Sequence, residues 1–196
     1  MHRWHMTYLL LASLPLSLAQ AASPSFDCSQ TEKGSIEAMV CADEPLAALD
    51  HQLAGVYRQA SQKARNEQPP QLKATQRGWI KGRNDCWKSS DVRTCVHDNY
   101  QLRIAELQAR YQLLAGTGPV IYSCSGGSGG EVIATFYPTV PATLVAEYGD
   151  STSLMYQQPS GSGSKYQGQN ETFWEHQGEA RVTWGYNTVE MRCKKS

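Results

Sequence analysis

The chain has no excess of charge of either sign: 18 Lys and Arg balance 18 Asp and Glu over 196 residues. A nucleic-acid partner needs a basic footprint, and the totals supply none. Long hydrophobic runs are also lacking. The most apolar stretch, Tyr8 to Leu18, is too short for a membrane span. No C-x-x-C occurs, which excludes a zinc ribbon and a thioredoxin-type redox site. Histidine is scarce, and His51 and His97 lack metal-ligand spacing. No metal and no cofactor is therefore expected.

What is present begins with an export signal. Arg3 and His5 precede the apolar run, and Ala19-Gln20-Ala21 gives small residues at the cleavage spacing. Residues 1–21 read as a signal peptide cleaved near Ala21, leaving a periplasmic or secreted chain. No Cys directly follows the apolar run, so no membrane anchor is expected. Cys28, after Phe26-Asp27, reads as structural. In an oxidising compartment, six cysteines imply disulfides. Proximity favours Cys28–Cys41 and Cys86–Cys95, and Cys124–Cys193 would then clasp the last segment.

The chain divides near Leu114-Ala115-Gly116, giving a helical domain over 22–115 and a β-domain over 116–196. Asp43-Glu44-Pro45 starts one helix, with Leu46, Leu49, Leu53, Val56 and Ala60 on its inner face. Pro69-Pro70 breaks the chain. A second helix turns Leu72, Trp79 and Ile80 inward. A third runs from Ser90-Asp91 through Val96, Tyr100, Ile104 and Leu107 towards Leu114. The two short disulfides would staple this small all-α bundle, one tying an N-terminal arm to the first helix, the other pinning the corner between the second and third. Arg83 to Trp87 reads as an Arg–Asp pair supporting that corner, with a binding face as the alternative.

Beyond Gly116 the period becomes two. Glu131–Tyr137, Ala142–Tyr148, Ser153–Gln157, Thr172–Glu175, Ala180–Trp184 and Thr188–Cys193 read as strands of an antiparallel sandwich or barrel. This part is mildly acidic. Its Gly126–Gly130 run lacks the G-K-[ST] ending of a phosphate loop and reads as a connector.

Ser160-Gly161-Ser162-Gly163-Ser164-Lys165-Tyr166 stands out, followed by Phe173-Trp174-Glu175-His176. A Gly/Ser loop has little to bury, and beside a second turn at His176-Gln177-Gly178 it forms a protruding edge able to enter another protein's cleft. Ser162 to Lys165 fits S-x-x-K, the pattern of serine acyl-transfer enzymes. That chemistry needs a helix start beneath the serine together with S-D-N and K-T-G partners, and both partners are missing. The edge suits an inhibitor more than an enzyme.

Ser162-Gly163-Ser164-Lys165-Tyr166, Phe173-Trp174 and Glu179-Ala180 together resemble the C-type lysozyme inhibitor family, the inhibitors known as MliC and PliC. Phe26-Asp27-Cys28, Glu37 with Cys41, Leu46 to Asp50 with Tyr57, Gln76-Arg77 to Cys86, and Cys95 with Tyr100 resemble the N-terminal domain of LprI-type proteins. The first resemblance implies an eight-stranded antiparallel barrel and a c-type lysozyme as protein partner. It also implies a lysozyme-binding set of Ser162, Gly163, Ser164, Lys165, Tyr166 and His176. Ser162 would hydrogen-bond the two cleft carboxylates of the lysozyme. A second family residue, usually lysine, follows the Phe-Trp strand; here His176 takes its place, and Gln177 holds the neighbouring glycine position. The other reading of the same fold is an envelope module that binds a glycan or protein without inhibiting lysozyme.

Overall fold

A computed structural model describes residues 23–68 and 70–196; the expected signal peptide lies outside the described residues. The N-terminal half holds four α-helices: α1 (Ile36–Ala42), α2 (Glu44–Lys63), α3 (Gln71–Asn84) and α4 (Val92–Arg110). Each start has a local cause. Side chains of Ser35, Asp43 and Asp91 accept from the backbone N–H of Ala38, Leu46 and Thr94, capping α1, α2 and α4. Pro45 falls in the first turn of α2, where its missing N–H costs nothing. At α3, Glu67 reaches forward, and its Oε2 accepts from the Leu72 N–H at 2.8 Å.

Three helices were expected, and α1 is the addition. The N-terminal arm is itself helical, burying Ile36 and Val40 one turn apart. Cys28–Cys41 therefore ties a 3-10 turn at Cys28–Gln30 to α1 and not to the long helix α2. Cys86–Cys95 joins the 3-10 turn Asp85–Lys88 to α4 at the expected corner. The helical core gathers Val40, Leu46, Leu53, Val56, Leu72, Val96, Tyr100, Ile104 and Leu107. Ile80, expected inward, is 40% exposed. The inner stripe of α3 is Leu72, Trp79 and Arg83, and Ile80 sits one residue off it.

Arg83 is buried and does not pair with Asp85. It binds Glu37 of α1 and Asn84, and donates to the Tyr100 hydroxyl at 2.7 Å. The Tyr100 hydroxyl donates in turn to Asp50 at 2.9 Å, and Ser25 closes on Asp50 from the N-terminal side. Burial pushes the Tyr100 phenol well above its ordinary range. Asp85 pairs instead with Lys88 on the surface. The network ties all four helices to one point: α1 through Glu37, α2 through Asp50, α3 through Arg83 and α4 through Tyr100.

The C-terminal half is a closed antiparallel barrel of eight strands in sequence order. They are β1 (Thr117–Ser125), β2 (Gly130–Tyr137), β3 (Thr143–Tyr148), β4 (Ser151–Gln158), β5 (Ser164–Gln167), β6 (Glu171–His176), β7 (Glu179–Trp184) and β8 (Met191–Lys195). Closure of β1 on β8 leaves no exposed edge, and Cys124–Cys193 crosses that seam. Alternate residues point inward, among them Tyr122, Val132, Leu144, Met155, Tyr166, Phe173, Val182 and Met191. Phe173 lies at the centre, edge-on to Tyr122 and Phe136.

The eight strands are those the family resemblance implied. The alternation in the sequence marked six of them; the other two are β1, over Thr117–Ser125, and β5, which claims Ser164–Gln167 from the expected loop. The helices meet the barrel where α4 packs on β3 and β4. Ala109, Tyr137 and Leu154 form a small buried cluster there, and the Tyr156 hydroxyl donates to the Leu102 carbonyl at 3.2 Å.

Candidate functional site

The β4–β5 connection shrinks to a turn, Pro159 to Gly163, held from three directions. The Ser160 hydroxyl donates to the carbonyls of Ser162 and Gly163, both at 2.9 Å. The Trp174 indole N–H donates to the same Ser162 carbonyl at 2.9 Å. Gly163 lies against the end of β6 with φ of 64°. A Cβ built there would stand 2.1 Å from the Glu175 carbonyl oxygen and 3.0 Å from His176 Cβ. Only glycine permits this approach, and the approach brings the serine turn against the β6–β7 hairpin.

That hairpin is equally tight. His176 pairs with Glu179, leaving Gln177 and Gly178 as a two-residue turn with φ of 53° and 82°. Two consecutive left-handed residues form the primed turn that matches strand twist. The Glu175 carboxylate accepts from the Gly178 N–H at 2.9 Å. A glycine one place later than the family pattern therefore still serves the turn, with Gln177 taking the first left-handed position.

The structure brings Ser162, Gly163 and His176 together at one end of the barrel, with Ser162 and His176 both exposed. Among the described residues the Ser162 hydroxyl makes no hydrogen bond, although its carbonyl makes two. Ser164 opens β5 opposite Glu175, and Lys165 stands opposite Trp174 on the outer face. Tyr166 is placed differently. It is 6% exposed and packs on Phe136 inside the barrel, so it supports the turn from beneath. Burial first, then the Glu175 charge, pushes its phenol upward, as both do for Tyr122.

Sequence reasoning assigned no role to Trp174, Ser160 or Glu175, the three clamps. Trp174 was legible as the outward partner of a buried Phe173, but its hydrogen bond needs the turn folded back. Chemically the site presents one free hydroxyl and one imidazole on a rigid edge. Ser162 sits on a turn and not at a helix start. Among the described residues no cluster of metal-ligating side chains forms, and no helix is long and apolar enough to cross a membrane.

Comparison with known proteins finds a family match in each half of the chain. Residues 122–191 match the family described as membrane-bound lysozyme-inhibitor of c-type lysozyme, MliC. Residues 27–107 match the family described as lysozyme inhibitor LprI. No solved structure matches the chain significantly. Relatives named Lipoprotein LprI from Mycobacterium bovis and Mycobacterium tuberculosis are 33% identical over 172 residues, spanning 87% of this chain and 85% of theirs. A stapled helical half matched to LprI, a barrel matched to MliC, and likeness running nearly end to end place the chain in the LprI family of lysozyme inhibitors.

Proposed function

We propose that the chain inhibits c-type lysozyme by lodging the Ser160–Gly163 turn of its barrel domain (116–196) in the active-site cleft. It does so as an exported, non-enzymatic protein that shields peptidoglycan. Such a lysozyme cleaves with two carboxyl groups, one protonated as acid and one ionised. A serine hydroxyl both donates and accepts, so Ser162 can serve the pair together. One observation carries the reading: the Ser162 carbonyl is fixed from two sides while its hydroxyl is left free. A turn already held in its bound shape loses little entropy on insertion. Lys165 flanks the turn with positive charge, and the His176 imidazole stands at the end of β6 beside it.

The test is a cell-wall lysis assay, titrating the mature chain against a c-type lysozyme. Ser162→Ala should weaken inhibition by about 1–3 kcal/mol, the worth of a hydrogen bond to a charged group. Ser162→Trp should abolish it by blocking insertion. Full inhibition by both variants would show that another surface does the work.

A further inference from the structure

The outer face of β6, β7, β8 and β1 forms an open groove of about 860 Å³. Register sorts its side chains into two rows across the strands. One row reads His176, Glu179, Lys194, Ser123. It alternates in sign and satisfies itself, with Lys194 and Glu179 3.3 Å apart. The other reads Trp174, Arg181, Arg192, Ser125. Here two arginines stand directly opposite each other. Like charges in that relation destabilise a sheet, whereas opposite charges would strengthen it.

Little inside the chain relieves the clash. Arg181 lies 3.8 Å from Glu190 and 6.0 Å from the Trp174 ring centroid. Arg192 has no acidic partner among the described residues. From Gly116 onward acids outnumber bases, yet Arg181, Arg192 and Lys194 all line this groove, against the acid Glu179. Positive charge is gathered on one face of an acidic domain.

We propose that the Trp174–Arg181–Arg192–Ser125 row binds a carboxylate-bearing glycan strand. Two guanidinium forks on neighbouring strands can hold one carboxylate between them. Trp174, 38% exposed, offers a flat apolar surface against which a sugar ring can lie. Ser125 continues the row with a hydroxyl. An acidic peptide would supply carboxylates but no saturated ring for the indole. The open ends of the groove suit a polymer laid across it. This function goes beyond lysozyme inhibition: it holds the protein on an anionic polysaccharide.

The test uses the full mature chain and calorimetric titration with three probes. The first is peptidoglycan glycan strands stripped of peptide, whose lactyl carboxylates are free. The second is neutral chito-oligosaccharide, and the third is poly-glutamate. Binding should be tightest to the first and weaken as salt rises. Arg181→Gln and Arg192→Gln should each weaken it by about tenfold, the loss of one charged hydrogen-bonding partner. Arg192→Gln should not lower the melting temperature, because it removes a like-charge contact and breaks no ion pair among the described residues. Both should still inhibit lysozyme, and Ser162→Ala should still bind the glycan, so the two activities fail separately. No binding of the first probe overturns the proposal. So do equal binding of the neutral sugar, tighter binding of poly-glutamate, or unchanged affinity in both arginine variants.

Discussion

His176 ends β6 on the outer face, and the strand end it belongs to is the one that receives Gly163 of the serine turn. Cleft carboxylates favour a positive side chain in that place. His176→Lys should therefore tighten inhibition and His176→Ala should loosen it, each by up to about 1 kcal/mol for an exposed ion pair. Inhibition constants for the three chains in the lysis assay give the check. Equal constants for all three would remove His176 from the interface. Ser162, Gly163 and His176 stood out in the sequence; the clamping of this edge by Ser160, Trp174 and Glu175 did not. Gly163 reads as a flexible residue until the Glu175 carbonyl is seen to occupy the space of its missing Cβ.

At the scale of elements, α2, α4 and the 3-10 turn at Cys28–Gln30 owe their starts to capping carboxylates that the fold keeps ionised. Backbone donation from Ser29 and Thr94 holds the carboxyls of Asp27 and Asp91 below their ordinary range, and the Arg93 guanidinium does so for Asp43. A carboxyl whose folded pKa is depressed adds stability that is full above its unfolded pKa. That stability is lost as pH falls through the folded value. The melting temperature of the helical half should therefore drop as pH is lowered below about 4. Asp91→Asn keeps a capping oxygen but cannot titrate, so its drop should be shallower. Identical slopes for wild type and Asp91→Asn, followed by circular dichroism at the helical band, would refute this. The same caps explain what the sequence revealed. Asp43-Glu44-Pro45 and Ser90-Asp91 marked α2 and α4 because long apolar repeats followed them. Ser35 marks α1 just as well, but seven residues give only Ile36 and Val40, too few to show a period. β1 escaped because Gly118 and Pro119 interrupt its alternation, and β5 because its four residues carry one core side chain, Tyr166.

On the scale of the whole molecule, the two halves are closed by different means. The helical half has two short disulfides and the buried Arg83–Tyr100–Asp50 network. The barrel has one long staple, Cys124–Cys193, spanning 69 residues of sequence. Every ladder but one joins strands adjacent in sequence, and the exception is the β1–β8 seam that this disulfide crosses. The hairpins can form locally; closing the barrel requires bringing its two ends together, and the staple removes most of that entropy from the unfolded chain. Replacing both cysteines with serine should lower barrel stability by about 4 kcal/mol. The joint between the halves centres on Ala109, Tyr137 and Leu154, with Val145 and Tyr156 packed beside them and the Tyr156 to Leu102 hydrogen bond. One helix against two strands couples the halves less than each core couples its own elements. Denaturant titration of the Cys124→Ser, Cys193→Ser chain should therefore show the barrel unfolding first, followed by near-ultraviolet dichroism. The helical transition should stay at its wild-type midpoint. If both signals move together to lower denaturant, the halves unfold as one unit and the joint couples them fully. Inhibition should fall with the barrel transition, because the serine turn keeps its shape only while β5 and β6 remain paired beneath it.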